Sequence, residues 1–90
     1  MKEQIFYIGN CPVCYEYGRL EIDKDLTTGK YLVYCEECLA EWDSPQDALK
    51  NVNGRRNFEG GPVRSASLDE IVSLGWDKYV VEASDPKDMD

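Results

Sequence analysis

Histidine is absent from this chain of 90 residues. With it go the commonest general base and the usual nitrogen ligand of catalytic zinc, which needs an open coordination position. No run of 18 apolar residues occurs, so nothing reads as a membrane span. The opening MKEQIFYIGN lacks the charged start and continuous apolar stretch of a secretory signal. Phosphate-cradling GxxxxGK[ST], the GxSxG elbow and the GxGxxG dinucleotide fingerprint are all missing. Basic residues are scarce, with ten Lys and Arg against eighteen Asp and Glu and a formal charge of −8. Non-specific nucleic-acid binding relies on cations displacing counterions, so this balance opposes it at long range. Together these absences predict a cytoplasmic, non-enzymatic protein with no small-molecule substrate, no membrane contact and no direct hold on nucleic acid. A basic protein is the partner its charge would attract.

What is present is concentrated in four cysteines, arranged as two CxxC pairs, Cys11-Pro12-Val13-Cys14 and Cys35-Glu36-Glu37-Cys38, with twenty residues between them. Two such pairs separated by a hairpin-length segment bring four thiolates round one tetrahedral ion, and the spacing is that of structural zinc. Cys11, Cys14, Cys35 and Cys38 are therefore the candidate ligands of a single structural Zn2+. A reducing cytosol argues against disulfides, and a redox-active pair would sit at a helix N-terminus in a βαβ setting that neither pair has. Iron is the other tetrathiolate metal. Rubredoxins usually carry a glycine after each pair, where this chain has Tyr15 and Leu39, which ranks zinc first. A chain of this length buries little apolar surface, and structural zinc contributes about 10–16 kcal/mol, comparable to the stability of an ordinary domain.

Around the cysteines the pattern is β. Ile5, Phe6, Tyr7 and Ile8 form an apolar entry strand that Gly9-Asn10 should end. From Tyr17 to Lys24, Leu20 and Ile22 face one way while Arg19, Glu21 and Asp23 face the other, as in a half-buried strand. A turn over 25–29 returns the chain through Lys30 to Tyr34. Residues 39–42 suit either a third strand or the first turn of a helix, as in a treble clef. Ser44, Pro45 and Asp47 then mark a helix start, with the end near Lys50-Asn51. Ser67 and Glu70 form a capping box for a second helix that Gly75 stops. The expected fold is α+β: a single domain over residues 1–82, with a ribbon over 5–42 and a helical part over 44–82 holding two or three short helices. A mobile loop spans about 52–65, and an acidic tail spans 83–90.

Two charged groups stand out. Glu36, Glu37, Glu41, Asp43 and Asp47 lie within twelve residues of one another. Set beside a rigid metal knuckle, they would present a pre-ordered acidic surface to a Lys- and Arg-rich partner, with Trp42 as an aromatic anchor. Arg55, Arg56 and Arg64 fall in the glycine-rich loop and form the one local concentration of positive charge.

Residues 11–42, with CPVC, a hairpin, CEEC and a following aromatic, resemble the zinc-ribbon superfamily. That resemblance covers about a third of the chain and implies a metal-organised hairpin without implying an activity. CPVCY, YCEECLAEW, SPQDAL and the late GWDKYV are similar to segments of small acidic bacterial immunity proteins of toxin systems. This second resemblance implies a cytoplasmic protein that masks the basic active surface of a nuclease-type toxin. The alternative is a zinc-ribbon accessory protein of transcription or translation, with Arg55, Arg56 and Arg64 on nucleic acid or the ribbon docked on a polymerase or ribosome.

Overall fold

In the computed structural model, which describes residues 4–35, 37–56 and 61–84, one mainly antiparallel sheet carries two short helices. Strands β1 (Phe6–Cys11), β2 (Tyr15–Asp25), β3 (Tyr31–Cys35) and β4 (Ala40–Trp42) follow one another and pair in sequence order. β5 (Arg55–Arg56) then extends the β4 edge, and β7 (Glu82–Ala83) extends the β1 edge. β6 (Val63–Ser65) pairs with the far half of β2, matching Asp23 with Ser65 and Asp25 with Val63. β2 is long enough to serve β1 along its first half and β6 along its second. Among the described residues no helix is long and apolar enough to cross a membrane.

The β2–β3 hairpin forms where alternation and turn chemistry predict it. Asp25 Oδ1 accepts the amides of Thr27 and Thr28, and Gly29 takes a φ of 77°, which closes the turn. The register sets Leu20 opposite Cys35 and Ile22 opposite Val33. These four residues are fully buried and share a core with Trp42, Ala48, Ala66 and Ile71. β2 departs from a half-buried strand, however. Arg19 is exposed, but Glu21 and Asp23 are only 7% and 1% exposed, so the polar face of the strand is largely covered beyond Arg19.

Other differences also arise from edge pairing. β1 does not end at Gly9-Asn10. A register shift between Tyr7 and Gly9, with Gly9 at φ 140°, carries the strand on to Cys11 as an irregular ladder. The segment over 52–65 is more than a loop, because its described residues supply β5 and β6; residues 57–60 lie outside the described set. The stretch over 44–82 is correspondingly not purely helical. The tail begins later than 83, since Ala83 pairs with Phe6 and Ser84 bonds Ile5 through both backbone and hydroxyl. Residues 85–90 lie outside the described set.

The helices follow their caps. α1 (Pro45–Lys50) has Ser44 Oγ accepting the Asp47 amide and ends at a left-handed Asn51. α2 (Leu68–Leu74) has the full capping box of Ser67 and Glu70 and a left-handed Gly75 at its end, followed by a 3-10 turn over Asp77–Tyr79. Glu70 also closes a polar cluster. Arg64 grips both its carboxylate oxygens at 2.9 and 2.8 Å, and the Tyr31 hydroxyl donates to it. At the opposite edge, the Arg19 guanidinium lies 4.9 Å from the centre of the Tyr7 ring and pairs with Glu82, tying β2, β1 and β7 together.

Candidate metal centre

Two tight turns at the same end of the sheet carry the cysteines. Cys11 closes β1 and Cys14 lies in the turn before β2; Cys35 closes β3 and Cys38 lies in the turn before β4. Because β2 and β3 are hydrogen-bonded neighbours with Leu20 opposite Cys35, the β1–β2 turn and the β3–β4 turn are held side by side. After Leu39, Ala40–Trp42 form a strand, with Val33 opposite Trp42, so no helix begins at the second pair.

The four sulfurs all lie within 4.8 Å of one another. Cys11 Sγ is 3.6 Å from Cys38 Sγ, and Cys14 Sγ is 3.5 Å from Cys35 Sγ. A tetrahedral ion with metal–sulfur bonds near 2.3 Å requires edges of about 3.8 Å, so the cluster is positioned to bind one metal ion with little adjustment.

Backbone amides complete each turn. The Val13 amide donates to Cys11 Sγ at 3.4 Å, and the Cys14 amide bonds the same sulfur. In the second turn the amides of Glu37 and Cys38 do the same for Cys35. Such donors favour thiolate, the form a metal binds. Burial pushes Cys11 up, but its amide and thiol neighbours outweigh that and leave it below the ordinary thiol value. Burial raises Cys14 and raises Cys35 strongly, each against some opposing hydrogen bonds. Four negative sulfurs at this separation are mutually repulsive, and a central cation is what makes all four tenable together.

Two residues that are not ligands also shape this centre. Gly18 passes directly over Cys14 and Cys35, leaving no room for a side chain. The signal was a lone glycine inside an alternating strand, which marks close backbone approach. Leu39 follows the second pair at a φ of 63°, and its amide donates to the Cys35 carbonyl at 2.9 Å. The left-handed conformation that suits glycine is thus adopted here without one, so the lack of glycine after Cys38 does not by itself separate zinc from iron.

The expected acidic surface is smaller than its sequence suggests. Trp42 has no exposed area and belongs to the core, so it cannot anchor a partner from this conformation. The Glu41 side chain is only 7% exposed and accepts from Arg55 Nε at 2.8 Å. Asp43 is exposed but accepts from Arg55 Nη2 at 2.9 Å. Glu37 is exposed and Asp47 half-buried, while Glu36 lies outside the described residues. The cationic loop is likewise depleted. Arg55 is engaged by Glu41 and Asp43, and Arg64 by Glu70, which leaves Arg56 as the exposed arginine not engaged in those pairs. No family model matches the chain, and no curated protein or solved structure is significantly similar to it.

Proposed function

We propose that the four cysteines hold one structural Zn2+ and that the chain is a non-enzymatic module binding a basic protein. The convergence of four sulfurs within 4.8 Å carries the metal half of this reading. All four positions of a tetrahedral ion are filled by sulfur, so substrate has no open site, and the metal's work is to lock two turns together. The net charge of −8, the exposed Glu37 and Asp43 and the half-buried Asp47 support a cationic partner. The pairing of Arg55 and Arg64 with carboxylates favours this over direct contact with phosphates.

Elemental analysis of reduced, freshly isolated protein should give one zinc per chain in a colourless solution, with chelation lowering the unfolding temperature. Visible ferric–thiolate absorption would instead identify iron. The most specific form of the binding reading is an immunity protein that masks a basic nuclease toxin. Its test is protection of cells expressing a toxin encoded beside this chain, and failure there removes the immunity form while leaving the metal assignment standing.

A further inference from the structure

Behind the first cysteine turn lies a cavity of about 370 Å³, lined by Val13, Ala40 and Trp42 together with Asn51, Gly54, Arg55 and Arg56. The indole of Trp42 is fully buried, yet its Nε1–H has no acceptor among the described residues. A buried donor left in this state costs about 1–3 kcal/mol, and folded proteins seldom tolerate one without reason. The edge of the ring that bears this donor faces Gly54. A β-carbon on residue 54 would stand 2.4 Å from Nε1 and 2.8 Å from Cε2, so only glycine fits there, and its backbone lies against the donor, which is reached only if that backbone moves.

The walls and the rim restrict what fits. Val13, Ala40 and the indole are apolar, which suits a small hydrocarbon body. Arg55 and Arg56 contribute two positive charges, while Glu41 and Asp43 on Arg55 offset them. That local balance, within a chain of charge −8, disfavours a dianion such as phosphate and leaves the exposed Arg56 to meet a single negative charge.

We propose that this cavity binds a monocarboxylate with a small apolar body, the carboxylate accepting from Trp42 Nε1 and Arg56 and the body packing on Val13 and Ala40. Such a group arrives as a free short-chain acid or as the C-terminal residue of another chain. Entry requires the segment over 51–54 to yield. The amides of Asn51 and Val52 tie its start to α1, but beyond them Asn53 and Gly54 lead into a strand of only two residues, β5, so the far half is thinly held. The inference does not depend on which metal occupies the cysteines.

The test is titration of nitrogen-15-labelled, metal-loaded protein, following its two indole signals, with Trp76→Phe identifying the signal of Trp42. Isobutyrate should move the Trp42 indole proton saturably, isobutyramide should not, and inorganic phosphate should act more weakly. Arg56→Gln, at an exposed position, should weaken isobutyrate about tenfold while the backbone spectrum is otherwise retained. Gly54→Ala should abolish the response. N-acetylglycylvaline binding more tightly than isobutyrate, and losing affinity on amidation, would assign the site to chain termini; equal binding would assign it to free acids. A Trp42 signal that stays fixed at tens of millimolar isobutyrate, or phosphate outcompeting isobutyrate, or an Arg56→Gln protein that binds as well as the parent, would overturn the proposal.

Discussion

Gly18 runs so close to Cys35 that a β-carbon at residue 18 would come within 2.4 Å of Cys35 Sγ, and within 2.7 Å of Cys14 Sγ. Both sulfurs are fixed by the other ligands once a metal is bound, so neither can retreat as the end of a flexible side chain would. Gly18→Ala is therefore expected to cost about 1–3 kcal/mol in overpacking, which appears as a 10- to 100-fold loss of metal affinity. Competition with a chelator measures it. An alanine variant with parental affinity would mean that the strand is not pressed against the sulfurs.

The same glycine illustrates what could be read in advance. Ligand spacing and helix caps are local grammar: Cys11, Cys14, Cys35 and Cys38 converge, Ser44 caps α1 and Ser67 with Glu70 caps α2. Each cap and each CxxC pair depends on residues three or so apart, where the chain itself enforces proximity, and the β2–β3 hairpin brings the two pairs together. The pairing of β6 with β2 across about forty residues has no such signal. Val63–Ser65 forms a strand because the far half of β2 offers an open edge. The fate of the carboxylates was hidden for a related reason, since nothing near Glu41 in sequence announces that Arg55 will lie against it.

Glu70 gives a pH-dependent handle. Its bonds from Arg64, the Ser67 amide and Tyr31 hold the carboxyl far below the ordinary glutamate range. The folded value lies below the unfolded one, so its contribution is complete above about pH 4.5 and is lost as the pH falls below that toward the depressed value. Glu70→Gln retains the capping geometry but removes the charge. It should lower stability at neutral pH by about 1 kcal/mol, and the gap between parent and variant should narrow on acidification. Denaturant unfolding at pH 7 and pH 3.5 distinguishes this from a gap that stays constant, which would mean that the charge contributes nothing.

Leu39 tests the backbone of the second turn. Holding a non-glycine residue at φ 63° costs about 1–2 kcal/mol, and branching at Cβ makes the conformation harder still. Leu39→Gly should retain the metal with stability near that of the parent, because relief of strain offsets the greater freedom of glycine in the unfolded chain. Leu39→Val should fall below both by about 1–2 kcal/mol in thermal unfolding of the metal-loaded protein. A valine variant as stable as the glycine variant would show that the turn relaxes out of the left-handed region at little cost.

Charge reversal separates the binding reading from the fold. Glu37 is exposed within the second cysteine turn and Asp47 is half-buried in the first turn of α1, whereas Trp42 is wholly internal. Glu37→Lys with Asp47→Lys should leave metal content unchanged and retain the sheet, with at most a small loss from the first turn of α1, where Asp47 faces the helix N-terminus. Affinity for a basic partner captured at low salt should drop about tenfold, mostly through slower association, and the difference should shrink as salt is raised. Trp42→Ala should behave in the opposite way, losing about 3–5 kcal/mol of stability from the core before any effect on binding can be read. Surface plasmon resonance across a salt series decides the point, since a double-lysine protein that binds its partner at the parental rate would remove the acidic surface from the interface altogether.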